Sequence, residues 1–241
     1  LINDPDLVVL DPATVAEESP VVYAPITLSG AVIGFNVERN PRVNAPPAAQ
    51  DLSGVRVAEI NLTPRLVAKL LTQSYRQQVE IVSRPDYPWL APNPAHMGLD
   101  PDFLQFNPEF SLLQTAGAKN FGGLMMPGGN SDVARQVWEW VLADPEARAW
   151  LDGGADPWGM RVNPVYATTA GANSNGTAFG NPAPDSFPKS DPYCYQGAPR
   201  GDGNSIVPPP LCGTDWLPYT QTMRTAARQT RLADDLARVV E

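Results

Sequence analysis

Histidine occurs once in this chain, at His96, and cysteine twice, at Cys194 and Cys212. A transition-metal centre built on imidazole and thiolate therefore has almost no ligands to draw on. A hydrolytic triad needs a histidine beside a nucleophile and an orienting carboxylate. His96 lies in a Pro/Asn-rich stretch with neither partner identifiable and reads as a surface residue. Ser29-Gly30 lacks the Gly-x-Ser-x-Gly elbow of hydrolases. Asp156, Asp191, Asp202 and Asp215 are scattered without the spacing of a calcium loop. The expectation is no catalysis, no cofactor and no metal. Basic residues are also short, 17 against 26 acidic ones for a net charge of −9. That argues against nucleic acid, whose binding rests on Lys and Arg neutralising phosphates. No apolar run reaches the ~18–20 residues that span a bilayer, so direct membrane insertion is not expected.

What the chain has in plenty is punctuation: 27 prolines and 19 glycines in 241 residues. Such a composition favours ordered loop over long helix. The longest apolar stretch is Val21 to Val37, VVYAPITLSGAVIGFNV. Pro25 and Gly30 argue against a single helix there. The absence of polar alternation is that of buried strands. It reads as two strands with an adjustment at Ser29-Gly30, and Leu7 to Leu10 reads as another short strand. Residues 38–53, with Ala45-Pro46-Pro47-Ala48, have turn chemistry and read as loop.

A helix is expected over Ile60 to Tyr75, with Thr63 as N-cap and Pro64 at the first helical position. Its apolar face is Leu66, Val67, Leu70 and Leu71. Val79 to Val82 alternates as a strand does. Asp100-Pro101 starts a second helix with Phe103, Leu104 and Phe106 on its face. Gly122 to Pro127 reads as a strand. Gly128-Gly129-Asn130 then leads into a strong helix, Ser131 to Ala143, whose stripe is Val133, Val137 and Val141 with Ala134 and Trp138 beside it. Asp144-Pro145 caps a further helix ending at Gly153. Residues 152–219 are Pro/Gly-rich, and their aromatics suggest a packed wrap. Helix returns over 220–241. The domain expectation is an α/β lobe over 1–151, a wrap over 152–219 and a C-terminal helix over 220–241.

Cys194 and Cys212 lie close together in the wrap. They read as a local disulfide in an exported protein, with two reduced thiols as the alternative. The start at Leu1, without Met, reads as a processed form or a piece of something longer.

Three stretches in order carry a resemblance. Tyr23-Ala-Pro-Ile-Thr-Leu-Ser-Gly-Ala-Val-Ile-Gly-Phe-Asn36 resembles the hinge strand of phosphate-type solute-binding proteins of ABC importers, which have the type 2 periplasmic-binding fold. Asn61-Leu-Thr-Pro-Arg-Leu-Val-Ala-Lys-Leu-Leu71 is similar to the helix that follows it. Trp138-Glu-Trp-Val-Leu142 is similar to an aromatic helix motif late in the second lobe. Asp156-Pro-Trp-Gly-Met-Arg-Val-Asn-Pro164 resembles divergent secreted versions from Gram-positive bacteria.

The resemblance implies part of an α/β periplasmic-binding-like fold on the cell surface or secreted. Its partners would be a small solute or anion such as phosphate and the rest of a larger surface protein or a membrane transporter. It places a ligand-binding arginine at Arg84, but the Ser-Gly-Thr that should follow is replaced by Tyr87-Pro88-Trp89. The candidate ligand residues are Thr27, Ser29, Gly30 and Arg84, with Gly129, Asn130 and Ser131 at a helix N-terminus. The competing expectation is a cell-surface structural or protein-interaction domain that keeps the scaffold without a ligand site.

Overall fold

The computed structural model describes residues 30–76, 91–115, 124, 126–127, 132–168, 219–220 and 223–232. The chain divides into two units, Leu1–Gly30 and Ala31–Glu241. All described residues except Gly30 belong to the second.

That unit is built on helices. They are α1 (Pro47–Gln50), α2 (Pro64–Leu71), α3 (Pro101–Phe106), α4 (Asp132–Ala143), α5 (Pro145–Leu151) and α6 (Met223–Leu232). Short 3-10 turns flank α3 at Met97–Leu99 and Pro108–Leu112. The strands are β1 (Met126–Pro127) and β2 (Tyr219–Thr220), paired in parallel with Met126 opposite Tyr219.

The α/β periplasmic-binding-like expectation is thereby corrected. Among the described residues the sheet is limited to the two-residue pair β1–β2, and the other regular elements are helices. The described end of the presumed hinge strand shows why. Ala31 to Phe35 is exposed, Val32 at 82%, so its apolar pattern covers no core. Gly34 lies beside Thr230 and Asn36 Nδ2 donates to Arg231 O, but a backbone ladder begins only at Val37. Val57 N–H donates to Val37 O and Arg39 N–H to Val55 O, with one antiparallel bridge between Glu38 and Arg56. The ladder ends in the turn where Gly54 N–H donates to Arg39 O and Val55 N–H to Leu52 O, and Pro41 has no N–H with which to extend it. β1 stops for the same reason at Pro127. The segment read wholly as loop after residue 38 holds α1, a single turn with no buried residue.

Helix starts follow their caps. Thr63 Oγ1 accepts from Leu66 N–H, Asp100 from Asp102 N–H and Asp144 from Ala147 N–H, each with proline next in sequence. α2 is shorter than expected. Thr72 turns its hydroxyl onto Ala68 O, and Gln73 adopts φ +50°, a left-handed conformation that ends a helix.

α2, α4 and α5 pack on one another pairwise around Leu66, Leu70, Trp138, Val141, Trp150 and Leu151. On α4 the fully sheltered line is Ala134, Trp138 and Val141, while Val133 and Val137 are only half-buried. The last turn of α4 and all of α5 share a sharp corner at Asp144. Phe103 and Phe110 meet edge to face with centroids 4.9 Å apart, closing the α3 side of the core. Residues 156–167 also belong to this core. Met160, Val162, Asn163, Tyr166 and Ala167 are buried, and Trp150 Nε1 donates to Met160 O.

Candidate functional site

The feature around which the core is arranged is charged. α2 is buried on every side, so Arg65 and Lys69, one turn apart, cannot reach solvent from its polar stripe. Lys69 is fully enclosed. Its Nζ donates to Asp156 Oδ2 at 2.7 Å, Asp100 Oδ2 at 2.8 Å and Asp102 Oδ2 at 2.9 Å, and all three carboxylates are themselves shut off from water. An ammonium has three N–H donors, and all three are used. Arg65 grips Asp102 bidentately through Nε and Nη2, at 2.8 and 2.9 Å, and reaches the exposed Glu146 through Nη1.

The carboxylates are held from their other sides too. Asp100 Oδ1 takes Asp102 N–H, and its Oδ2 also accepts from the Tyr75 hydroxyl at 2.8 Å. Asp156 Oδ1 accepts two backbone N–H groups, Trp158 at 2.9 Å and Met160 at 2.8 Å. This loop closes on Gly159, whose φ of +89° is one glycine adopts without strain. The chain beyond is tied to α2 as well. Asn93 Nδ2 donates to both Ser74 O and Arg161 O, and Ser74 Oγ accepts from Asn163 N–H.

Two cations thus face three buried carboxylates, one negative charge in excess. The titration directions show where that excess is relieved. Burial works against the Lys69 ammonium, yet Asp100 and Asp102 hold it above the usual lysine value. Burial pushes Asp100 above the ordinary carboxylate range despite Lys69. Burial acts on Asp102 in the same sense, but the Arg65 hydrogen bonds and Lys69 outweigh it and leave Asp102 low. The Asp102 bonds also raise Arg65. Tyr75 is pushed well above its usual value by burial and by Asp100. Asp100 is therefore moved toward the protonated form, and Asp102 is held ionised.

A pH dependence follows for Asp102. Its folded value lies below the unfolded one, so its contribution is present above about pH 3.9 and lost as pH falls through the lower folded value. Asp100, raised on folding, works in the opposite sense and favours the folded state only on the acid side of its shifted value. Urea midpoints measured from pH 7 to pH 2 should fall on the acid limb in the wild type and fall less steeply in Asp102→Asn. Parallel limbs would mean Asp102 is not the coupled group.

Of the residues expected from sequence to bind ligand, only Gly30 is described. It is exposed, and a side chain there would meet open space. Thr27, Ser29, Arg84, Gly129, Asn130 and Ser131 lie outside the described residues, as do Cys194 and Cys212. An open groove of about 230 Å³ runs between Phe35–Val37, Arg56–Val57 and Thr230–Arg231, with none of the expected ligand residues in its wall. His96, expected at the surface, is instead buried at 1% exposure, and burial lowers its proton affinity. It packs there because the 3-10 turn that follows it folds under α3. No helix among the described residues is long and apolar enough to cross a membrane.

Comparison with protein-family models, with curated protein sequences and with solved structures finds no match to this chain.

An apolar face drawn through Leu66, Val67, Leu70 and Leu71 alone leaves the charged core of α2 unmarked. One signal was available. Only three of the 17 basic residues are lysines, and Lys69 sits among Leu66, Val67, Leu70 and Leu71 with Arg65 one turn before it. A cation so placed needs buried carboxylates, and in the fold Asp100, Asp102 and Asp156 supply them.

Proposed function

We propose that this chain is a non-catalytic structural or protein-interaction domain of an extracytoplasmic protein, and that it meets its partners through the arm 38–57. The observation that carries this is the exposure of large apolar side chains on an arm that is fixed in place. Val43 is 93% exposed, and Leu52 and Val55 are exposed as well. The arm is anchored by Arg39, whose Nε donates to Glu109 Oε2 at 2.7 Å and whose Nη1 donates to Arg56 O at 2.6 Å. Arg42 donates to Leu113 O, and Gln50 Nε2 to Arg42 O. Ordering such a loop costs backbone entropy, and it shelters little apolar surface of its own, Pro41 and Val57 excepted. Large apolar side chains left exposed on a loop that is fixed in place suit a surface that another protein covers. Below them, Arg65 and Lys69 have their donors engaged by the protein's own carboxylates, which makes the core a support and leaves recognition to the surface. The Cys194–Cys212 pair, joined, would suit an oxidising compartment.

The test is a photo-crosslinking residue placed at Val43, with Gln136, exposed on α4, as the control position. A defined adduct formed from Val43 and absent from Gln136 in the protein's own host is expected. Equal adducts at both positions, or none, would sink the reading. Calorimetry with inorganic phosphate at low ionic strength tests the competing solute-binding function. A micromolar isotherm lost in Arg84→Ala would overturn the present proposal in its favour.

A further inference from the structure

The enclosed Lys69 has a second property that an ordinary buried ion pair lacks: its partners are arranged as the parts of a condensation site. We propose that Lys69 Nζ and the Asp156 side chain join in an intramolecular amide, a covalent cross-link between α2 and the loop at 156–160, formed by the folded chain on itself.

The geometry supplies each requirement. The nucleophile is within 2.7 Å of Asp156 Oδ2, and both side chains are sealed from solvent. That holds the reacting groups together as one intramolecular pair, the condition under which effective molarities become very large. Asp156 Oδ1 already receives two backbone N–H groups, from Trp158 and Met160. These are positioned to stabilise the charge that develops on that oxygen when the carboxyl carbon becomes tetrahedral. A proton carrier stands beside the reaction. Asp100 Oδ2 lies 2.8 Å from the same nitrogen, within reach to shuttle a proton between nitrogen and oxygen. Asp102, locked by Arg65, remains an anion and keeps the site from losing its compensating charge.

The balance closes within the chain. A proton passes from Nζ to Asp100 and on to Asp156 Oδ2, leaving a neutral amine and a neutral carboxyl. The Nζ lone pair forms the N–Cγ bond, with the electrons of the carbonyl moving to Oδ1. Asp100 takes a second proton from nitrogen and delivers it to Oδ2. The Cγ–Oδ2 bond breaks and water leaves. Two of the three ammonium protons depart with Oδ2, the third stays on the amide nitrogen, and Asp100 ends as the carboxylate it began. Nothing is oxidised or reduced and no co-reactant is needed. In water the charged pair is favoured over the amide. Here both side chains are sealed from solvent, so bulk water does not return to hydrolyse the amide once it has formed, and the product amide N–H is placed to donate to Asp100.

Mass spectrometry of the purified full chain decides the matter. The intact mass should be one water lighter than the sequence requires. Proteolysis after unfolding should yield a branched peptide joining the Lys69 and Asp156 segments, with fragment ions placing the branch at those two residues. Lys69→Arg and Asp156→Ala should each restore the full mass. Asp100→Asn, which leaves both reacting groups in place, should lower the linked fraction at least tenfold. Recovery of Lys69 and Asp156 in separate unmodified peptides would overturn the proposal, and so would a branch from Lys69 to Asp100 or Asp102. A water loss mapping to Asp152-Gly153 or Asp202-Gly203 as a cyclic imide, with Lys69 unmodified, would overturn it as well.

Discussion

Relative to the chain with Lys69 unlinked and charged, Lys69→Met should destabilise the protein by about 3–5 kcal/mol, the range found when one member of a buried ion pair is removed. Methionine matches the length of the lysine stem and removes the charge, so packing is largely kept. What changes is the fate of three enclosed carboxylates. Asp100, Asp102 and Asp156 each lose a donor, and Arg65 alone cannot neutralise them. With a total stability of about 5–15 kcal/mol expected for a domain, the variant should sit near its unfolding threshold at neutral pH. It should recover part of the loss on mild acidification, as Asp100 takes up a proton. Urea unfolding at pH 7 and pH 5 measures both effects. A midpoint within experimental error of the wild type would show that water reaches the cluster.

The same residues explain what could be read in advance and what could not. Helix starts were legible because their signals are local. Thr63-Pro64, Asp100-Pro101 and Asp144-Pro145 each put a side-chain acceptor before a proline, and each cap forms as that spacing requires. The sheet was misread because an apolar run states only that side chains would bury if given a partner. Ala31 to Phe35 joins no ladder among the described residues and lies exposed, with Thr230 of α6 beside Gly34. The α/β fold expected from that stretch is therefore corrected at the level of topology, where pairing depends on segments far apart in the chain. The charged core failed for a related reason. Lys69 meets Asp100 and Asp156 across separations of 31 and 87 residues, and no periodicity links them. Asp100 had been identified as a cap, and it is one. Its second role, accepting from Lys69 and Tyr75, needs the fold. His96 was misplaced because polar neighbours in sequence say little about what packs above them in space.

Trp138→Ala should cost about 3–5 kcal/mol, the usual range for emptying a buried tryptophan site. The residue is fully buried on α4, the helix that packs against both α2 and α5. Ala134 and Val141, a turn before and a turn after it, are equally sheltered, so the vacated volume would be walled by side chains already in place and unable to collapse into it. The loss would also reach the charged cluster, since α2 carries Arg65 and Lys69 on the helix that α4 supports. Trp140, two residues along, provides the internal control. It points away from the core and is 46% exposed, so Trp140→Ala should change stability by no more than about 0.5 kcal/mol. Thermal and urea unfolding of the two variants side by side measures the difference. A large loss in Trp138→Ala with little in Trp140→Ala is the expected pattern. Comparable losses would mean that the exposed tryptophan is also covered, and the rotation assigned to α4 about its own axis would have to be revised.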